Sequence, residues 1–323
     1  MEQQTPRQPR FGSRRTATGR QPTPARFRAR IQVACAALLA LVLAVGIHSF
    51  ADRSTAANLT KTSAATTAEA SASPSASPNA STPASAPAAR VVDAALGARI
   101  QAILDANSQY QIGVAVVDLS QGAGSADVNE YGVREKFVAA STAKVLAAAA
   151  YYHLVETGAA TLDDPLGSYT AGFQLREMIQ QSDNDSWSLI MDAVGHEELT
   201  AYAATLGVSY DPKTNTLTPA EMATIVSRLY SGTLLNAGNT AQLLSYMQDT
   251  NYETLIPAAV PAGITVFHKY GLLGGELHDA AILTQGNAAY ALVIYTKGQD
   301  LSDVPERTEV IHQLTQAVAG VLF

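Results

Sequence analysis

The chain has 323 residues, 47% of them hydrophobic and 15% charged, enough for one large domain with a sizeable core plus accessory segments. Eight arginines fall in the first thirty positions beside a single acid, Glu2, which leaves 13 bases against 27 acids after position 50, a formal charge of −14. That balance excludes a basic nucleic-acid-binding body, and a single cysteine, Cys35, excludes an intrachain disulfide framework and a cysteine metal cluster. The six histidines are too scattered to suggest zinc.

Residues 1–30 form the basic segment. Residues 31–50, IQVACAALLALVLAVGIHSF, contain no Asp, Glu, Lys or Arg. Twenty helical residues at about 1.5 Å each match a hydrocarbon layer of roughly 30 Å, so a single membrane-spanning helix is expected here. The preceding arginines place the N-terminus in the cytoplasm and everything after position 50 outside. A cleavable signal peptide, giving a secreted product, is the competing reading. Residues 51–90 are almost entirely Ala, Ser, Thr and Pro; such a stretch lacks the apolar side chains that offset ordering entropy and is expected to be a disordered linker.

Residues 91–323 have the composition of one globular domain. VVDAALGARIQAILDAN carries apolar residues at helical spacing, and YQIGVAVVDLS has the β-branched character of a strand that enters a hairpin. From Ser141 to about Met247 the chain is rich in Ala and Leu with repeated helix signals, among them Thr218-Pro219-Ala220-Glu221, a capping box with proline at the first helical position. Strands return at ITVFHKYG, HDAAILTQ and YALVIYT, and a helix from about Val304 to Val321 closes the chain. Strands at both ends around a helical middle predict an α+β domain whose antiparallel sheet is completed by its two ends.

Three short motifs could carry chemistry. Ser141-Thr142-Ala143-Lys144 opens an Ala-rich helix, and a separation of three puts the hydroxyl and the amine on one face. A serine hydroxyl is a weak nucleophile until a base takes its proton, and a lysine can do so once its own pKa is lowered. The amide of Ser141, near a helix start, is free to donate to a developing oxyanion. Ser182-Asp183-Asn184 follows the amphipathic FQLREMIQQ and could present a hydroxyl and an amide from a loop between helices. His268-Lys269-Tyr270-Gly271 lies on a strand, where Lys269 could hold a carboxylate and Gly271 would let a substrate backbone approach. Singly, these are a capped helix start, a helix cap and an edge-strand lysine; in this order, on a helix start, an inter-helix loop and a returning strand, they form one pattern.

That pattern resembles the penicillin-recognising serine enzymes, class A β-lactamases in particular, whose signature is S-x-x-K, S-D-N and K-T-G. The similarity extends through IGVAVVDL, STAKVLAAAA, LREMIQQSDN, LTPAEMATIVSRLY and YALVIYTKG, nearly the whole of 91–323. It implies the β-lactamase/transpeptidase-like fold and an acyl-enzyme mechanism without metal or organic cofactor. It implies Ser141 as nucleophile, Lys144 as proton acceptor, Ser182 as proton shuttle to the leaving nitrogen and Asn184 as ligand of the substrate amide. Lys269 would anchor the substrate carboxylate beside Tyr270 and Gly271, and the amides of Ser141 and Leu272 would form the oxyanion hole. The implied partners are small β-lactams or peptidoglycan-type D-alanyl peptides. The oligomeric state is left open.

Two departures from the family stand out. The glutamate of its Glu-x-x-Leu-Asn loop activates the deacylating water, and no such motif occurs in the 33 residues from Asp185 to Leu217. Position 188, often an Asn that supports that loop, is Ser188. A positioned general base contributes about 10²–10⁴ in rate, so acylation should be spared and deacylation slowed. Asp185, Glu197, Glu198 and Asp211 are the carboxylates that could substitute. The alternative reading is a penicillin-binding sensor acylated without turnover, or a module that is never acylated and simply holds a cell-wall ligand or protein partner. Secondly, Tyr270 replaces the small hydroxyl residue of K-T-G, so the short hydroxyl that assists carboxylate binding is either absent or moved outward to the phenol, which bears on substrate preference. His268, His278 and Asp279 could form a local hydrogen-bonded cluster. With no G-x-S-x-G elbow, an α/β-hydrolase triad is not expected.

Overall fold

A computed structural model describes residues 93–120 and 127–323. The basic segment, the apolar run 31–50 and the linker 51–90 expected from the sequence lie outside the described residues. Among those described, no helix is long and apolar enough to cross a membrane.

Helix α1 (Ala94–Ala106) starts where Asp93 accepts a hydrogen bond from the Leu96 amide at 2.8 Å. Its buried stripe is Leu96, Ile100 and Leu104, one face at a spacing of four. Strand β1 (Gln111–Asp118) follows, with Ile112 to Val117 buried continuously because both faces of the strand are covered. It pairs antiparallel with β2 (Asn129–Gly132) on one side. A short ladder joins β3 (Phe137–Val138) to β6 (Thr216–Leu217). Between them lie a 3₁₀ turn (Ala140–Ala143), α2 (Lys144–Glu156), the two-residue strands β4 (Pro165–Leu166) and β5 (Tyr169–Thr170), α3 (Ala171–Gln180), α4 (Asn184–Val194) and α5 (His196–Thr205). After β6 come α6 (Pro219–Tyr230), α7 (Ala237–Tyr246), the short α8 (Ile256–Ala259), three long strands β7 (Thr265–Leu273), β8 (Glu276–Gln285) and β9 (Ala288–Lys297), and α9 (Val304–Leu322).

The main sheet has the order β2-β1-β9-β8-β7, entirely antiparallel. The first long strand therefore pairs with the last, Val114 opposite Ile294, and the α+β sheet closed by both ends of the domain is as expected. One face carries Val114, Val116, Leu292 and Ile294 against α1, α8 and α9; the other carries Ala115, Val117, Val293 and Tyr295 against the helical middle. Helix α6 begins with the predicted capping box, in which Thr218 and Glu221 each accept from the other's backbone amide. Its first residue, Pro219, lies so close to β1 that a Cβ on Gly113 would come within 2.8 Å of the proline ring and 2.3 Å of the Val133 carbonyl oxygen.

Helix α2 differs from expectation at its start. The helix predicted from Ser141 begins at Lys144, and Ser141 sits in the preceding 3₁₀ turn. No side chain caps either element. Instead Thr142 Oγ1 donates to the Ala139 carbonyl at 2.7 Å and, its one proton thus engaged, accepts from Tyr295 Oη at 2.5 Å, which ties the turn to the sheet. From Lys144 to Tyr152 every residue of α2 is buried, so the helix is enclosed on all sides.

At the far end of the sheet, Arg307 of α9 is 0% exposed and clasps three segments. Its Nε donates to Asp303 Oδ1 at 2.7 Å, Nη1 to the Gly275 carbonyl at 2.8 Å and Nη2 to the Asp300 carbonyl at 3.0 Å, joining the β7–β8 turn to the loop after β9. Removing the buried guanidinium leaves partly exposed Asp303 without its counter-charge and the Gly275 and Asp300 carbonyls without their donor. Arg307→Ala should therefore destabilise the domain by about 3–5 kcal/mol, measured by denaturant unfolding; a loss below about 1 kcal/mol would mean that the clasp is not structural.

Candidate active site

The site is built where the 3₁₀ turn, the α3–α4 loop and strand β7 meet. Ser141 is half-buried in the turn, and its hydroxyl makes no hydrogen bond among the described residues. The residue before it, Ala140, has a φ of +49°, a conformation that costs a non-glycine residue energy and persists only when its surroundings enforce it. Asn215 supplies that enforcement: its Nδ2 donates to the Ala140 carbonyl at 3.1 Å and its own carbonyl accepts from the Ala139 amide at 2.8 Å. Tyr210 Oη donates to Asn215 Oδ1 at 2.9 Å and holds the asparagine in turn.

Lys144, one turn beyond Ser141, is 2% exposed. Its ammonium donates to the Ser182 carbonyl at 2.7 Å and to Asn184 Oδ1 at 2.8 Å, with longer contacts to the Asp183 carbonyl at 3.2 Å and Ser182 Oγ at 3.4 Å. The S-x-x-K and S-D-N motifs, forty residues apart, thus meet at one nitrogen. Burial pushes the amine down to about 8, partly opposed by the Asp183 carboxylate. Asp183 itself caps α4, accepting from the Ser186 amide at 2.6 Å, and that bond is the main reason its carboxyl lies below the usual range. Ser182 has a φ of +55°, a second enforced conformation.

Strand β7 is the free edge of the sheet. The amide of His268 donates outward to the Met247 carbonyl at 2.7 Å, away from β8. Because amide direction alternates along a strand, the amides of Tyr270 and Leu272 point to the same free edge. Gly271 permits the close approach: a Cβ there would stand 3.1 Å from the Ala139 carbonyl oxygen and 3.2 Å from the Ser141 nitrogen. The Leu272 amide therefore lies one residue beyond the contact with the Ser141 amide. Lys269 is 0% exposed, donates to the Tyr270 carbonyl at 3.2 Å and rests 4.0 Å from the centre of the Tyr270 ring. Burial, with the Lys144 charge adding to it, holds its amine well below the ordinary lysine range, while Asp279 opposes the shift. The anchor lysine expected to point into an open cleft is thus covered by its neighbour. The Tyr270 phenol is engaged as well, donating to Asn251 Oδ1 at 2.9 Å.

The cluster expected of His268, His278 and Asp279 divides in two. Tyr270 pairs with Asp279 and Gly271 with His278, so the consecutive residues His278 and Asp279 face opposite sides of the sheet. His268 shares the Asp279 side: Nδ1 donates to Asp279 Oδ1 at 2.8 Å, and Nε2 lies 3.1 Å from Glu253 Oε1 and 3.0 Å from Thr250 Oγ1. The two carboxylates outweigh burial and raise the imidazole to about 9. His278 lies beside the Ser141 turn instead. Its Nε2 donates to the Val138 carbonyl at 2.9 Å, Nδ1 accepts from the Thr296 amide at 3.1 Å, and full burial keeps it neutral with a pKa near 4.

Of the carboxylates that could replace the family's glutamate, Asp185, Glu197 and Glu198 are exposed in the first turns of α4 and α5. Asp211 Oδ1 accepts from the Lys213 amide. None is hydrogen-bonded to Ser141, Lys144 or Ser182. Sequence reasoning missed Asn215, Thr142, Tyr295 and Asn251, which hold the site from loops and from the sheet; polar residues in loops carry no periodic signal.

A half-buried serine, a buried amine of lowered pKa, a second hydroxyl and a free strand edge, held between an antiparallel sheet and a helical middle, are the constellation of the penicillin-recognising serine hydrolases. Residues 95–322 match the β-lactamase enzyme family, and the chain belongs to it as a class A β-lactamase-like serine hydrolase. It is 28% identical over 233 residues to β-lactamase CTX-M-25 of Escherichia coli, covering 60% of this chain and 78% of that one. Identity to a β-lactamase of Proteus vulgaris is 26% over 252 residues, 67% of this chain and 92% of the relative. Among solved structures, PBP-A superposes with a TM-score of 0.63 at 25% identity over 70% of this chain and 95% of that one, and a mutant of it, captured as an acyl-enzyme complex with penicillin G, does equally well. A β-lactamase from Burkholderia vietnamiensis gives a TM-score of 0.63 at 25% identity, over 71% and 96% of the two chains.

A histidine whose folded pKa is raised contributes stability that is complete below its unfolded value, near 6.5, and is lost as pH rises through about 9. The lowered lysines contribute with the opposite slope, so the readout is a difference. The melting-temperature gap between wild type and His268→Gln should be widest below pH 6.5 and narrow as pH passes 9; a gap constant across that range would show that the charge on His268 is not stabilising.

Proposed function

We propose that the chain opens β-lactam amides, or acts on D-alanyl peptides of the same geometry, by acylating Ser141, and that the acyl-enzyme is then lost slowly. The single observation that carries the reading is the meeting of Ser182 and Asn184 at the lowered amine of Lys144, one turn from Ser141. Neutral Lys144 takes the Ser141 proton as the hydroxyl attacks the carbonyl carbon. The developing oxyanion is received by the amides of Ser141 and Leu272. Ser182 Oγ, 3.4 Å from the amine, passes the proton to the leaving nitrogen. Asn184 binds the substrate amide, and Lys269, once the Tyr270 ring yields, meets the carboxylate beside Gly271. Slow deacylation is supported by the lack of any carboxylate hydrogen-bonded to Ser141, Lys144 or Ser182 among the described residues, and by the missing glutamate motif. The eight arginines before the apolar run 31–50 support a site of action outside the cytoplasm, tethered to the membrane or secreted.

Intact-mass spectrometry of the full-length chain mixed with penicillin G should show one adduct that forms and lingers, and Ser141→Ala should abolish it. An adduct that disappears while the drug is consumed over many cycles would overturn slow deacylation, and labelling of the Ser141→Ala variant would overturn the nucleophile.

The same measurement across pH tests the base. A lysine with a pKa of about 8 is about one-tenth neutral at pH 7, so the acylation rate should rise about tenfold per pH unit below 7 and level off above 8. A profile flat from pH 5 to 9 would exclude Lys144 as the proton acceptor.

A further inference from the structure

The segment between α7 and α8 crosses the mouth of the site and touches both of its walls. The amide of Asn251 donates to the Gln180 carbonyl at 3.0 Å, and its side-chain Nδ2 donates to the Gln181 carbonyl at 2.8 Å, the residue immediately before Ser182. Its Oδ1 accepts from the Tyr270 phenol at 2.9 Å, the residue immediately after Lys269. Gln180 Nε2 donates back to the Gln248 carbonyl at 3.2 Å. One side chain therefore links the α3–α4 loop to the edge strand, and it does so through the tyrosine that departs from the family pattern. We propose that Asn251, tensioned by Tyr270, is a positioning residue for acylation: it holds the Gln181–Ser182 peptide so that Ser182 stays on Lys144.

The physical basis is the enforced conformation of Ser182. A residue at φ +55° relaxes unless its flanking peptides are held, and both the carbonyl and the hydroxyl of Ser182 are directed at the Lys144 amine. On the far side the Asp183 amide is fixed to the Glu177 carbonyl at 3.1 Å; on the near side the Gln181 carbonyl is held by Asn251. Asn215 does the equivalent for Ala140 at the other enforced residue. Another non-glycine residue with positive φ, Asp249 at +50°, lies in the crossing segment itself. Tyr270 thus has a role that a small hydroxyl could not fill, because only the phenol reaches from β7 to Asn251. The rest of the segment is anchored independently: the Thr250 amide and hydroxyl both donate to Glu253 Oε1, and Glu253 in turn pairs with His268. Asn251 can therefore be changed without releasing the segment.

The inference rests on the acyl-enzyme reading, and its test separates the two. In the full-length chain, Asn251→Ala and Tyr270→Phe should each lower the acylation rate constant for penicillin G about tenfold or more, with the dissociation constant of the initial complex unchanged within about twofold in Asn251→Ala. Since both changes cut the same link, the double variant should be no slower than the slower single one. Should Asn251→Ala fail to fold, Tyr270→Phe, which removes a single oxygen, carries the test. Wild-type acylation rates in both single variants, or losses that multiply in the double variant, would overturn the positioning role while leaving the acyl-enzyme intact. A wild-type chain that penicillin does not label would overturn both.

Discussion

The site depends on an amine withheld from water. Lys144 stands on a helix enclosed along nine consecutive residues, and among the described residues its nitrogen reaches partners on the α3–α4 loop and the first residue of α4. A buried ammonium carries a desolvation cost that lowers its pKa, and the same burial requires each of its protons to find an acceptor. The structure meets the second demand with carbonyl and amide oxygens, and keeps the one nearby carboxylate, Asp183, committed to capping α4. A carboxylate aimed directly at the amine would have returned it to the ordinary lysine range and removed its ability to accept a proton. The Ala-rich composition of α2 follows from that enclosure, since small side chains let neighbouring helices and the sheet pack against it on every side.

Around this amine the backbone is bent into conformations that would not persist alone. Ala140 precedes Ser141 and Ser182 faces the Lys144 amine, and the peptide beside each is pinned by a nearby asparagine, Asn215 or Asn251. Asparagine suits the task because its amide both donates and accepts, so one side chain can bridge a carbonyl on one segment and a hydroxyl on another. The sheet supplies the fixed reference. Thr142 is tied to Tyr295, His278 to the Val138 carbonyl, and Gly271 lies against the turn itself. The Ser141 turn is therefore held by the sheet, while the partners of the Lys144 amine come from the segment between α3 and α4.

Membership of the β-lactamase enzyme family accounts for the common frame, and the departures from that family are coupled through geometry. Where the K-T-G hydroxyl would stand, a phenol turns away from the cleft toward Asn251, and its ring covers Lys269. His268, on the face of β7 opposite Lys269, is held charged between Glu253 and Asp279. The edge strand thus carries a basic side chain on each face: burial and the Lys144 charge depress Lys269, while the carboxylates support His268.

Local periodicity and short motifs were enough to establish the element types, their order, the closure of the sheet by both ends of the domain and the three motifs of the site. Helical and strand patterns repeat over a few residues, so α1, β1, the capping box at Thr218 and the strands from Thr265 onward are legible in the linear chain. The exact start of α2 was not, because no capping side chain marks it and the turn is held by a tyrosine 153 residues away. Nor could spacing tell that His268 and His278 part company, since which histidine meets Asp279 depends on the pairing register of β7 with β8. Asn215 and Asn251 look like any loop asparagines until the fold brings Ala140, Gln181 and Tyr270 to them. Interactions between residues far apart in sequence leave no periodic trace, so the chain alone specified which groups could do the chemistry, and tertiary structure decided their charge states, their partners and what holds them in place.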